Sequence, residues 1–301
     1  MTSTRLLVLF LDGVGVGPSD PDVNPFFRAR LPALREALGG GLPCLEQPSI
    51  DGPGARAFPI DAAMEMEGLP QSGTGQVALL TGRNAARILG RHFGPWPPVR
   101  LRPILEEESF LRRAVAGGAR AAFANAYPAG FPDGLDRRRM GALPLAARAA
   151  GLLTRNHEAL ARGEAVASEI VNDGWREHLG HHDLPEISPT EAGANLAGVA
   201  RGADLTFFAH YGTDFAGHRG DMAEGVSILE RVDEFLSGLL SELPTDHNVL
   251  IVSDHGNLED IRTGHTRNPA LGVLLGPVSE GAQLPDSIVD VADMILAIVL
   301  G

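Results

Sequence analysis

The chain has 301 residues, 44% of them hydrophobic, 21% charged and 5% aromatic, with a formal net charge of -13. A chain of this size buries roughly three quarters of its unfolded surface, which supports one large core and excludes a disordered protein. The acidic balance argues against a nucleic-acid backbone as the main partner, and the single cysteine, Cys44, excludes an intrachain disulfide or a Cys-based metal site. Leu6–Leu11 is a continuous apolar run that stops at Asp12-Gly13 and reads as a buried parallel strand. It is too short to span a membrane and lacks the flanks of a secretory signal, so a cytoplasmic chain is expected. Pro70–Gln76 reads as a small-residue turn opening a helix that runs on through Leu79, Leu80, Ala85 and Ile88. Phe110–Gly118 reads as a helix and Ala119–Ala126 as a strand.

Thr190–Arg201 is the next predicted helix, and Leu205–Tyr211 the next strand. Met222–Leu243 repeats apolar residues at helical spacing (Val226, Leu229, Val232, Phe235, Leu236, Leu239). Asn248–Ser253 is an apolar run ending in Asp254-His255; Gly272–Leu275 is a short strand and Ser287–Leu300 a helix. Strands alternating with helices predict an α/β fold with a mainly parallel sheet flanked by helices. Residues 1–127 and 190–301 form the expected core. The Pro- and Gly-rich stretch 128–189, with Arg137-Arg138-Arg139, is expected to be a small cap or insertion.

Ligands of parallel sheets collect at the carboxyl ends of the strands, and three of these strands run into Asp or Asp-His. Asp214 and His218 are four apart, a spacing that turns both side chains toward one ion. Asp254-His255-Gly256-Asn257 follows an apolar strand directly, His265 adds a third imidazole, and Asp12 adds a carboxylate. Three Asp and three His at strand ends suit two divalent ions, Mn²⁺ or Zn²⁺. Ser72 and Thr74 in the turn Gln71-Ser72-Gly73-Thr74-Gly75 are candidate nucleophiles at a helix start, where free amides bind anions; an ordinary helix cap is the alternative. All 25 basic residues are Arg, which excludes a Schiff-base or P-loop lysine.

Taken in order, Asp12-Gly13, the Ser72 turn, Asp214–His218, Ser253–Asn257 and His265 resemble the alkaline phosphatase superfamily, in particular the core of cofactor-independent phosphoglycerate mutases and phosphopentomutases. The resemblance implies one metal held by Asp214, His218 and His265. It implies a second held by Asp12, Asp254 and His255, with the Ser72 hydroxyl completing its shell. The family's glycines three and ten residues after its nucleophile fall here at Gly75 and Gly82, which selects Ser72 over Thr74. The implied activity is phosphoryl transfer through a phosphoserine. Hydrolysis of a small phosphoester is the first expectation, a phosphomutase acting on a sugar phosphate or phosphoglycerate-like substrate the second, and a catalytically inactive metal-binding module the third. The chain departs from mutases in carrying Gln76 where they carry His and in lacking a large domain after the nucleophile helix. Arg83, Arg91 and His92 are candidate substrate-phosphate contacts.

Overall fold

The computed structural model describes residues 4–131 and 140–301. Arg137-Arg138-Arg139 lies outside the described residues. The strands are β1 (Arg5–Leu11), β2 (Ile50–Gly52), β3 (Ala55–Ile60), β4 (Ala121–Phe123), β5 (Leu205–His210), β6 (His247–Val252) and β7 (Ala270–Leu275). In chain order the helices begin with α1 (Pro32–Ala37), α2 (Ser72–Thr81), α3 (Ala85–Leu89), α4 (Arg102–Glu108), α5 (Phe110–Ala116) and α6 (Ala142–Ala149). They continue with α7 (His157–Ala161), α8 (Asp173–His178), α9 (Pro189–Arg201), α10 (Gly212–Arg219), α11 (Met222–Glu242) and α12 (Val291–Leu300).

All seven strands share one sheet, in the order β2-β3-β7-β6-β1-β5-β4. Strand β1 lies between β6 and β5 and is parallel to both, with β4 parallel to β5 at the edge. Beyond β6 the pairing turns antiparallel, through β7 and the β2–β3 hairpin. Each β1 face is buried, as its unbroken apolar run requires. Leu6, Val8 and Phe10 enter one core with α2, α5, α6 and α12. Leu7, Leu9 and Leu11 enter the other with α9 and α11. Phe207 of β5 anchors the first core, meeting Phe110 edge-on at 5.6 Å between ring centroids. Among the described residues no helix is long and apolar enough to cross a membrane.

Several boundaries move for local reasons. The helix expected to run past Leu80 stops at Gly82, whose φ of 73° closes α2 with a left-handed cap, and Asn84 then caps α3 by accepting from the Arg87 amide. The Ala119–Ala126 strand shrinks to β4, and the C-terminal helix starts at Val291 rather than Ser287. The described residues of 128–189 pack in two ways. Helix α6 buries Ala142, Leu143, Ala146 and Ala147 in the same core as α2. Only the part from α7 to Leu184 gathers its own cluster, of Ala126, Ala159, Leu160, Ala165, Ala167, Trp175 and Leu184. That small unit joins the sheet beyond the end of β4, where Asn125 pairs with Val166.

Helix α9 starts from a capping box made by Ser188 and Glu191 and packs along α11. The two backbones approach so closely that a Cβ on Gly193 would lie 2.1 Å from the Phe235 carbonyl oxygen. Gly193→Ala is therefore expected to force the helices apart and cost about 1–3 kcal/mol. The drop is read as a lower urea midpoint at unchanged slope.

Candidate metal centre

Three adjacent parallel strands, β6, β1 and β5, end at the same edge of the sheet, and each hands on to an acidic residue. Asp12 follows β1 directly, and its amide donates to the His210 carbonyl at the end of β5, 3.0 Å away. Asp254 follows β6 through Ser253, whose hydroxyl accepts from the Val14 amide at 2.8 Å. Asp214 sits in the first turn of α10, just past β5. Gly13 separates Asp12 from its neighbours at a φ of 66°. A Cβ there would lie 2.5 Å from Asp214 Oδ1, so the left-handed turn and the missing side chain together let two strand ends converge.

Two clusters result, Asp214–His218–His265 and Asp12–Asp254–His255, each with its donor atoms within 4.8 Å of one another. In the first, His265 Nε2 lies 3.1 Å from His218 Nε2 and 3.6 Å from Asp214 Oδ1, and His218 Nε2 lies 3.3 Å from Asp214 Oδ2. In the second, His255 Nε2 lies 3.6 Å from both Asp12 Oδ1 and Asp254 Oδ2. Tetrahedral ligands about 2.1 Å from a divalent ion stand roughly 3.4 Å apart, so both spacings suit an ion at the centre. The imidazoles are turned to offer Nε2. His265 Nδ1 donates to the Pro70 carbonyl at 2.8 Å and His255 Nδ1 to the Gly256 carbonyl at 3.2 Å.

Asp12 Oδ1 and Asp254 Oδ2 are buried and have no hydrogen-bond partner, as expected of oxygens that face a cation. Burial, then the neighbouring Asp254 and Asp214 carboxylates, hold the Asp12 carboxyl well above the usual carboxylate range. Asp214 goes the other way, to about 2: burial opposes ionisation, but His265, His255, Asn257 and His218 together outweigh it. Burial alone would depress His265, yet its bond to Asp214 and the Pro70 carbonyl bring it above the ordinary imidazole value.

Helix α2 delivers Ser72 to this edge. Its Oγ lies 3.0 Å from His255 Nε2, the structural reason to prefer it over Thr74, whose Oγ1 donates to the Gln71 carbonyl at 3.2 Å. A Cβ on Gly75 would lie 3.0 Å from the Asp254 carbonyl oxygen, so that glycine lets the helix seat against the β6 end. Gln76, one turn on, donates to Asp12 Oδ2 at 3.1 Å. The amides at this helix start are not all free, because Phe93 accepts from Thr74 N at 2.9 Å. That contact brings the Arg91–Phe93 loop beside the Ser72 turn, with the Arg91 guanidinium 5.5 Å from the Phe93 ring centroid. His92 is half-buried next to Gly68, and burial lowers its pKa. Arg83 is not brought there. It follows the far end of α2, ~16 Å along the helix from Ser72, and pairs with Glu108 at 2.5 Å.

Sequence reasoning missed the carboxylate behind the ligands. Glu259 is fully buried, two residues beyond Asn257, and accepts from the amides of Gly15 and Asn257 at 2.9 and 2.7 Å. Thr266 Oγ1 and Asn268 Nδ2 also donate to it. Asn257 in turn donates through Nδ2 to Asp214 Oδ1 at 2.6 Å. The signal was the acidic residue within Gly256-Asn257-Leu258-Glu259, which in sequence resembles a solvated loop.

Residues 189–299 match the family model of the Metalloenzyme superfamily. The chain is 33% identical over 127 residues to the 2,3-bisphosphoglycerate-independent phosphoglycerate mutase of Agrobacterium fabrum, a match covering 38% of this chain and 25% of that protein. The same enzyme of Desulforudis audaxviator is 34% identical over 126 residues, with the same coverage. The chain thus spans about a quarter of the length of these curated relatives. Among solved structures, the PH0037 protein of Pyrococcus horikoshii superposes with a TM-score of 0.60 at 13% identity, covering 99% of this chain and 97% of that one. Alkaline phosphatase from the Antarctic bacterium TAB5 superposes at 0.55 and 13% identity, covering 99% and 98%. The sequence match covers residues 189–299 and is to the Metalloenzyme superfamily, and the fold is the one shared with these solved structures. Over about 127 residues the chain resembles the cofactor-independent phosphoglycerate mutases.

His210, at the end of β5, is fully buried and donates through Nδ1 to the Ser168 carbonyl at 2.7 Å. Burial pushes its pKa down to about 4, with Arg231 acting in the same direction. The unfolded chain therefore takes up a proton near pH 6.5 that the folded chain refuses. Stability is full above that pH and falls as the pH drops toward 4, by about 3 kcal/mol. Urea titrations of metal-free protein are expected to show this decline, and His210→Gln to remove that component of it.

Proposed function

We propose that the chain is a two-metal phosphoryl-transfer enzyme in which Ser72 is the nucleophile and a small phosphoester the substrate, hydrolysed rather than isomerised. The observation that carries this reading is Ser72 Oγ, buried at the start of α2 and 3.0 Å from His255 Nε2 inside a cluster of acidic and imidazole ligands. Two divalent ions, Mn²⁺ or Zn²⁺, held by Asp214, His218 and His265 and by Asp12, Asp254 and His255, would supply Lewis acidity to the serine hydroxyl and to the developing phosphoryl charge. Ser72 Oγ gives up its proton to solvent and attacks phosphorus in line; the new Oγ–P bond forms as the ester P–O bond breaks, and the leaving alkoxide takes up a proton from solvent and departs as the alcohol. Water then attacks phosphorus, releasing phosphate and restoring the serine. Gln76 holds Asp12, and the α2 N-terminus adds its dipole to the charge stabilisation. Arg91 and His92, on the loop beside Ser72, are the candidate contacts to the substrate phosphate.

Hydrolysis is favoured because α2 passes to α3 through Gly82–Asn84 alone, with no inserted domain to shelter a phosphoserine from water. Residues 1–127 and 190–301 are read as the catalytic core and the small cluster from α7 to Leu184 as its cap. The net charge of -13 favours small molecules over nucleic acids as partners, and the chain is read as cytoplasmic. The similarity to phosphoglycerate mutases favours, as a second reading, transfer of the phosphoryl group to a substrate hydroxyl.

A panel of phosphomonoesters and diesters assayed in Mn²⁺ and in Zn²⁺, beside metal content, tests the proposal. Ser72→Ala is expected to lower kcat/KM by about 10³-fold or more while both ions stay bound, and Asp254→Ala to lose activity and one ion together. In ¹⁸O-water, hydrolysis places label in the released phosphate, whereas a sealed mutase leaves the phosphoryl group unlabelled. Two bound ions without turnover on any ester would leave a binding module.

A further inference from the structure

We propose that Glu259 is the positioning residue for both metal clusters, fixing the loops that carry their ligands before any ion binds. Three ligand-bearing segments meet on this one side chain, one of them 244 residues away in sequence. Gly15 follows Asp12, Asn257 follows Asp254-His255, and Thr266 and Asn268 follow His265; all four donate to the Glu259 carboxylate. The fourth ligand segment is reached through one intermediary, since Asn257 Nδ2 donates to Asp214 Oδ1 at 2.6 Å and to the Asp214 carbonyl at 3.1 Å. Glu259 thus acts on Asp12, Asp254 and His255 of the buried cluster and on Asp214 and His265 of the other.

The surroundings are built to admit this carboxylate. A Cβ on Gly256 would lie 2.4 Å from Glu259 Oε1, and one on Gly15 would lie 2.6 Å from the same oxygen. The glycine between His255 and Asn257 is therefore needed for access to Glu259 and not for the turn alone. Four donors fill the lone-pair directions of a carboxylate; a glutamine amide offers one acceptor oxygen and would set its NH₂ against two of those donors. Residues behind metal ligands orient them, and their loss characteristically weakens metal binding about 10- to 100-fold. Because one side chain serves both clusters here, its loss weakens both together.

This inference rests on the two-metal reading, and the experiment separates the two. Mn²⁺ binding to the full chain is measured by equilibrium dialysis and manganese EPR for wild type, Glu259→Gln, Thr266→Val and Asn268→Ala, with folding checked by near-UV circular dichroism. Wild type is expected to take two ions. Folded Glu259→Gln is expected to need about 10- to 100-fold more Mn²⁺ at both sites, with excess Mn²⁺ restoring turnover toward the wild-type kcat. A merely structural role would leave the Mn²⁺ affinity of the folded protein unchanged, and that result overturns the proposal. No ion on wild type would instead overturn the metal reading beneath it. If Glu259→Gln does not fold, the two milder variants decide: weaker binding at the cluster containing His265 supports the proposal, and unchanged binding in both overturns it.

Discussion

Three carboxylates are forced together at one edge of the sheet, and most of the local architecture exists to make that tolerable. Asp12, Asp214 and Asp254 converge because β6, β1 and β5 are adjacent and parallel, so their carboxyl ends cannot diverge. Burial, and after it the neighbouring Asp254 and Asp214 carboxylates, raise the Asp12 carboxyl. Three imidazoles, an asparagine and a glutamine surround them, yet two of the oxygens still have no hydrogen-bond partner. In the two-metal reading a divalent cation would supply the remaining compensation. The same constraint explains why Gly13 has no side chain, why Gln76 reaches Asp12, and why the ligand loops share one buried carboxylate behind them.

The two halves of the sheet divide the work. The parallel half supplies the converging strand ends, while β7 runs antiparallel beside β6. His265 comes from the segment leading into β7. It therefore approaches the edge from the opposite direction to Asp254 and can stack on His255, with ring centroids 4.1 Å apart. Helix α2 closes the arrangement from the face that carries α12, which places Ser72 beside the buried cluster.

Much of this was legible in the sequence. An apolar run ending in Asp-Gly or Asp-His encodes both strand and site, because burial on both faces and exposure at the tip are written in consecutive residues. The Asp and His candidates were separable from background by that position, and all six come together in space. Arg83 does not reach the Ser72 turn because a motif count fixes distance along the chain but not direction: the ten residues of α2 and its Gly82 cap carry it away. The two ways of packing within 128–189 were hidden because α6 and the segment after it have similar small-residue composition, and only packing distinguishes them. Glu259 was invisible for a different reason. A buried carboxylate whose donors come from its own loop, the loop after His265 and the remote Gly15 leaves no pattern of its own, since each donor lies beside another ligand motif.

The two clusters differ in their access to water: the His218 side chain is 51% exposed and that of His255 is fully buried. An ion held by His218 can shed one ligand and meet solvent directly, whereas one beside His255 must wait for the surrounding loops to open. In the two-metal reading the outer position would therefore exchange the faster of the two. A chelator reaches them in that order. Partial depletion would then leave a half-loaded protein with the ion beside Ser72 still in place.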